Sequence, residues 1–161
     1  MKITLTSEEI QTLIEEEKKV LLEFEDLFSR MKDKNGHKEF DYTIVRDDGS
    51  SFYLKLRQNR KNPLDFSAIL GYSPNELNTV FKLTRYNGKS HEHRNVLEKE
   101  EPFYDFHIHK ATERYQLAER KEEFYAEITD RYSNLRGALR CLIDDCNVSL
   151  MENPQTSLEL K

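Results

Sequence analysis

The sequence predicts an α+β domain: a single antiparallel sheet of about five strands, with an N-terminal and a C-terminal helix packed on one face. Apolar residues recur at helical spacing over residues 7–33 and 121–146, and at every second residue between 38 and 110. Turn signals punctuate the alternating stretch at Asp47-Asp48-Gly49-Ser50 and Asn87-Gly88. A run of strands between two helices gives the layered α+β arrangement.

The first helix is expected over 7–33, from the stripe Ile10, Leu13, Ile14, Leu21, Phe24, Leu27, Phe28 and Met31. Thr6 and Glu9 have capping-box spacing at its start, and Asn35-Gly36 is expected to stop it. Strands follow. Phe40, Tyr42 and Ile44 alternate with Asp41, Thr43 and Val45, and Phe52, Leu54 and Leu56 with Tyr53, Lys55 and Arg57. Residues 65–72 read as a third strand, placed at an edge by the loop Asn59–Pro63 before it. Phe81 and Leu83 alternate with Lys82, Thr84 and Tyr86. Tyr104, Phe106 and Ile108 alternate with Asp105, His107 and His109. The last helix is expected over 121–146, striped by Phe124, Ile128, Tyr132, Leu135, Leu139 and Leu142. Residues 1–146 form the expected domain, and 147–161, polar and containing Pro154, a loose tail.

Composition narrows the function. The net charge is −5, yet residues 44–96 hold nine Lys or Arg against five Asp or Glu. An acidic whole argues against a DNA-coating protein, while a basic middle suits an anionic ligand. No apolar run is long enough for a transmembrane helix, and Met1–Gln11 lacks a signal-peptide core. Cys141 and Cys146 are five apart on the last helix and so on different faces, which predicts reduced thiols and a cytoplasmic setting. No Gly-rich phosphate loop, C-x-x-C or Ser-His-Asp pattern is present.

The chemistry concentrates in histidine. Four of the 5 histidines form two H-x-H pairs, His91/His93 and His107/His109. Residues i and i+2 of a strand share a face, so His107 and His109 should lie opposite Phe106 and Ile108, on the open side of the sheet. A two-residue turn at Asn87-Gly88 would pair Thr84 with His91 and Lys82 with His93, bringing all four rings to that face beside Lys55, Arg57, Lys82 and Asp105. Such a face suits a phosphate-containing ligand, nucleotide or RNA. His91 and His107 would serve as acid and base, His93 and His109 would orient them, and Lys55, Arg57 and Lys82 would meet the charge. The same four imidazoles are candidate ligands for a divalent metal such as zinc. In a third reading the histidines are structural, and the helices bind a protein partner or a second copy of the chain. Arg85, alternating with core positions, is expected to pair with a buried acid.

Two stretches resemble known patterns. His91, His93 and Glu98 match the H-x-H-x4-E core of the first cupin metal motif, but the flanking glycines and the second motif are missing. Over residues 80–115 the chain resembles an uncharacterised bacterial and phage family with an R-x-N-G-x-x-H … H-x-H pattern. Leu83, Arg85, Asn87, Gly88, His91, His107, His109 and Tyr115 are the matching positions. That resemblance implies a small intracellular protein, often from mobile elements, and implies no activity.

Overall fold

The computed structural model describes residues 3–74 and 79–152. It is α+β, as expected, but the sheet is larger than the alternation suggested. Its seven strands run in chain order, all antiparallel: β2 (Lys32–Lys34), β3 (His37–Val45), β4 (Ser51–Asn59), β5 (Phe66–Ser73), β6 (Phe81–Asn87), β7 (His107–Lys110) and β8 (Ala126–Ile128). A second, two-stranded parallel sheet joins β1 (Lys18–Val20) to β9 (Val148–Leu150). Part of the expected tail is therefore ordered as β9, while residues 153–161 lie outside the described residues.

The single helix expected over 7–33 is two helices, α1 (Ser7–Glu15) and α2 (Phe24–Ser29), with β1 between them. The Thr6–Glu9 capping box forms as expected, with both reciprocal hydrogen bonds at 3.1 Å. The break comes at Lys18, a fully buried ammonium. Its Nζ donates to the carbonyls of Ile14, Glu16 and Cys146 at 2.9, 2.6 and 2.8 Å. A lysine that spends its three donors on backbone carbonyls caps chain ends, which a continuing helix would not expose. Asn35 and Gly36, with φ of 53° and 84°, make the two-residue turn between β2 and β3 instead of a helix stop.

The C-terminal helix, α4 (Leu135–Asp145), is shorter than the stripe implied. Asn134 caps it, its side chain accepting from the Gly137 amide at 2.8 Å. Residues 121–134 instead supply β8 and its flanks. A short helix, α3 (Glu113–Leu117), lies between β7 and β8. Ile10, Leu13, Leu27, Leu135, Leu139 and Leu142 of the helices share one core with Phe52, Leu54, Leu56, Leu70 and Ile108 of the sheet.

β5 sits in the middle of the sheet and not at its edge, and its first six residues are all buried. Burial on both faces explains its unbroken apolar run. Between β5 and β6 the register shifts. Leu70 opposes Thr84 while Gly71 opposes Lys82, so Leu83 is an extra residue on β6. This bulge reverses the alternation beyond it. Thr84 and Tyr86 point with Leu70 and Ala68 toward the helices, and Arg85 and Asn87 point with Ile69 and Ser67 to the other face.

Candidate functional site

The expected tight hairpin at Asn87-Gly88 does not form, because β6 pairs with β7 and residues 88–106 make a long excursion between them. Gly88 is needed for close approach and not for a turn. A Cβ there would lie 1.8 Å from the Leu64 carbonyl oxygen, and Gly88 and Lys89 donate to the carbonyls of Phe66 and Leu64, both at 3.0 Å. The excursion then folds over the sheet. His93 and Phe103 form an isolated antiparallel bridge.

Asn95 fastens this cover. Its Oδ1 accepts from the Ala126 amide at 2.9 Å and its Nδ2 donates to the Ala126 carbonyl at 2.6 Å, so the carboxamide pairs with β8 as a neighbouring strand would. That pairing fixes Oδ1 as the acceptor facing His93 Nε2, 2.9 Å away. His93 therefore carries its proton on Nε2 and keeps a bare Nδ1.

The same reasoning fixes the other two rings. His107 Nδ1 lies 2.8 Å from the Asp105 carbonyl oxygen, and His109 Nδ1 lies 2.8 Å from that of Glu123. A carbonyl only accepts, so both rings are protonated on Nδ1 and bare on Nε2. The three rings touch. Centroids are 4.9 Å apart for His93–His109 and His107–His109, and 5.5 Å for His93–His107, with Phe103 and Phe124 packed on His93. His91 stands edge-on to His107 at 6.1 Å and is exposed.

The four predicted histidines thus gather, but not on an open face. His93, His107 and His109 are buried, and no atom of His107 is exposed. Burial pushes their pKa values down, with smaller contributions from Arg85 and the neighbouring rings. His93 falls below its usual 6.5, His107 drops to about 4 and His109 to about 2. All three are neutral at pH 7. His107, sealed and neutral, has no proton to deliver as a general acid in this conformation. Its Nε2 is buried with no hydrogen-bond partner.

Three predicted cations lie elsewhere. Arg57 shares its row of the sheet with Ser67, Asn87 and His107, and Lys55 shares the next row with Ile69, Arg85 and His109. Each is three strands from the histidines, about 14 Å at ordinary strand spacing. Lys55 pairs with Glu39 at 3.9 Å, and Arg57 with Asp65 at 3.3 Å and with the His37 ring. Lys82 is half-buried and opposes Gly71.

Arg85 takes their place. It is the cross-strand partner of His109 and pairs, as expected, with a buried acid, Glu123, at 3.4 Å. Its Nε is buried without a hydrogen-bond partner. A cleft of about 550 Å³ opens above it, lined by the cations Arg85, Arg120 and Lys121, the carboxylates Glu119 and Glu123, and the rings of His91, His93 and His109. Sequence reasoning missed Asn95, Glu123, Arg120 and Lys121. Lys121 and Glu123 lie in the charged start of the expected helix over 121–146, Arg120 ends a stretch that reads equally as helix or loop, and only Asn95, two residues after an H-x-H, stands near a recognised signal.

Among the described residues no group of three or more His, Cys, Asp and Glu side chains is placed to hold a metal ion, so the zinc expectation finds no ligand set there. Cys141 and Cys146 are free thiols. No helix of the described residues is long and apolar enough to cross a membrane. Fold and site together define an α+β protein with a neutral imidazole cluster beside a cleft of mixed charge. No protein-family model, curated protein or solved structure matches the chain.

Proposed function

We propose that the protein recognises a phosphate-containing ligand, of nucleotide or RNA class, in the cleft over the histidine cluster. One observation carries this reading. Arg85 lines the same cleft as the cations Arg120 and Lys121 with its side chain 26% exposed, and its Nε has no partner inside the protein. A buried donor left unmade costs about 1–3 kcal/mol, and a phosphate oxygen is the natural acceptor for a guanidinium. The cations Arg85, Arg120 and Lys121 outnumber the carboxylates Glu119 and Glu123 on the walls of the cleft, which leaves a net positive charge for an anion to meet. Recognition is favoured over cleavage because the inner imidazoles are neutral at pH 7 and the His107 ring does not reach the cleft. His91, exposed at the mouth of the cleft, is the ring most accessible to a bound ligand.

The test is titration with inorganic pyrophosphate, followed by NMR of arginine Nε–H and histidine ring signals. Arg85, His91 and His109 should shift together and saturate. Arg120→Gln with Lys121→Gln, both on the surface, should weaken binding several-fold without changing the fold. No shift at tens of millimolar pyrophosphate would sink the proposal.

A further inference from the structure

We infer that the ligand is a ribonucleotide whose 2′-hydroxyl is read by the bare nitrogens of the histidine cluster; this rests on the phosphate reading above. The site is unsatisfied in two complementary senses. Arg85 Nε is a donor without an acceptor, and His107 Nε2 is an acceptor without a donor, both buried. Two further acceptors, His109 Nε2 and His93 Nδ1, are left bare by the tautomers that Glu123 and Asn95 impose. Both of those rings line the cleft.

Donor and acceptors lie side by side. Arg85 and His109 are directly opposed on β6 and β7, with Cβ atoms about 5 Å apart at ordinary cross-strand distance. A complementary ligand needs an anionic oxygen and a hydrogen-bond donor a few ångströms apart. A ribose carrying a 3′-phosphate has that arrangement: the phosphate for Arg85, and the adjacent 2′-hydroxyl as donor to His109 Nε2 or His93 Nδ1. Deoxyribose lacks the donor. The 2′-hydroxyl is what lets a protein tell RNA from DNA. Hydroxyl donors can also be met one nitrogen at a time, which suits acceptors that do not converge as a metal set. Neutral imidazole is the required form, because a protonated ring offers no lone pair.

The experiment compares uridine 3′-monophosphate with its 2′-deoxy counterpart by calorimetry at neutral pH, on the full chain. The ribonucleotide should bind about 10-fold tighter, the scale of one added hydrogen bond to a neutral acceptor. Arg120→Gln with Lys121→Gln should weaken both ligands by the same factor and preserve the ratio. Equal binding of the two nucleotides, or a ratio that collapses in that variant, overturns the 2′-hydroxyl reading and leaves phosphate recognition standing. Failure of both nucleotides and of pyrophosphate to bind overturns both readings.

Discussion

Replacing Asn95 with alanine should loosen the cover over the histidines more than its two polar atoms suggest. The side chain is 1% exposed and makes three hydrogen bonds: two to the Ala126 backbone and one from His93. At about 1 kcal/mol each their loss amounts to about 3 kcal/mol, and the groups left behind add desolvation cost wherever water cannot reach them. β8 ends the sheet, so water can re-solvate part of Ala126. The net expectation is a loss of about 2–4 kcal/mol. Urea midpoints measure it, with Glu92→Ala, an exposed change in the same segment, as a control expected within about 0.5 kcal/mol. Asn95→Asp separates the two jobs of the carboxamide. It keeps an acceptor for Ala126 N–H and His93 but sets a buried carboxylate oxygen against the Ala126 carbonyl, and should cost at least as much as alanine. A loss below about 1 kcal/mol in Asn95→Ala would refute the account of Asn95 as a surrogate strand.

Two further outcomes follow from the burial of the rings. Changing His107 and His109 together to alanine should cost on the order of 3–5 kcal/mol, because both side chains lie in the interior. The half-buried Phe106, changed to alanine, should cost less, and the opposite ranking in denaturant midpoints would refute the burial argument. Acid should also destabilise the fold early. His107 has its pKa pushed down from 6.5 to about 4 and His109 to about 2, so below pH 6.5 the unfolded chain binds protons that the folded one refuses. Their contribution is fully present above pH 6.5 and is lost as pH falls toward the folded values. His107 alone accounts for on the order of 2 kcal/mol between pH 6.5 and 5. A urea midpoint that is flat across that window would overturn the neutral state of the buried rings.

The fold class was legible because period two and period 3.6 separate cleanly where one face is buried. β3 and β4 lie where Phe40–Ile44 and Phe52–Leu56 alternate. The long helices were misread for one shared reason. α1 and α2 bury Ile10, Leu13 and Leu27 in one core, so their stripes continue in phase across β1. Phe124 and Tyr132 likewise fall in phase with α4 although neither is on a helix. Periodicity reports which residues face the core, not whether the backbone between them is continuous. At the site, the H-x-H spacing named the right four rings but not their depth. Depth depended on the bulge at Leu83, which turns Arg85 and Asn87 to the histidine face, and on a cover pinned through Asn95. Neither leaves a local sequence signature.

Lys18 and His107 show how burial alone misleads about function. Both are polar side chains with no exposed surface. Lys18 has its donors met by three carbonyls and its charge set 4.7 Å from the face of the Phe52 ring. Its bonds join the end of α1, through Ile14 and Glu16, to Cys146 at the end of α4. A group so fully satisfied has nothing left to offer a ligand, and its role is to hold two chain ends together. His107 is met on one side only. Asp105 fixes its tautomer and orientation, and the other nitrogen is left bare among two more rings treated in the same way. A purely structural histidine would gain stability from a partner on that nitrogen. Under the proposed function, three adjacent rings, each oriented by one hydrogen bond and unpaired at the other nitrogen, are a place where the chain gives up stability to keep acceptors for a ligand. Bound ligand should restore what is given up, so a nucleotide that fits must also raise the urea midpoint in proportion to its affinity.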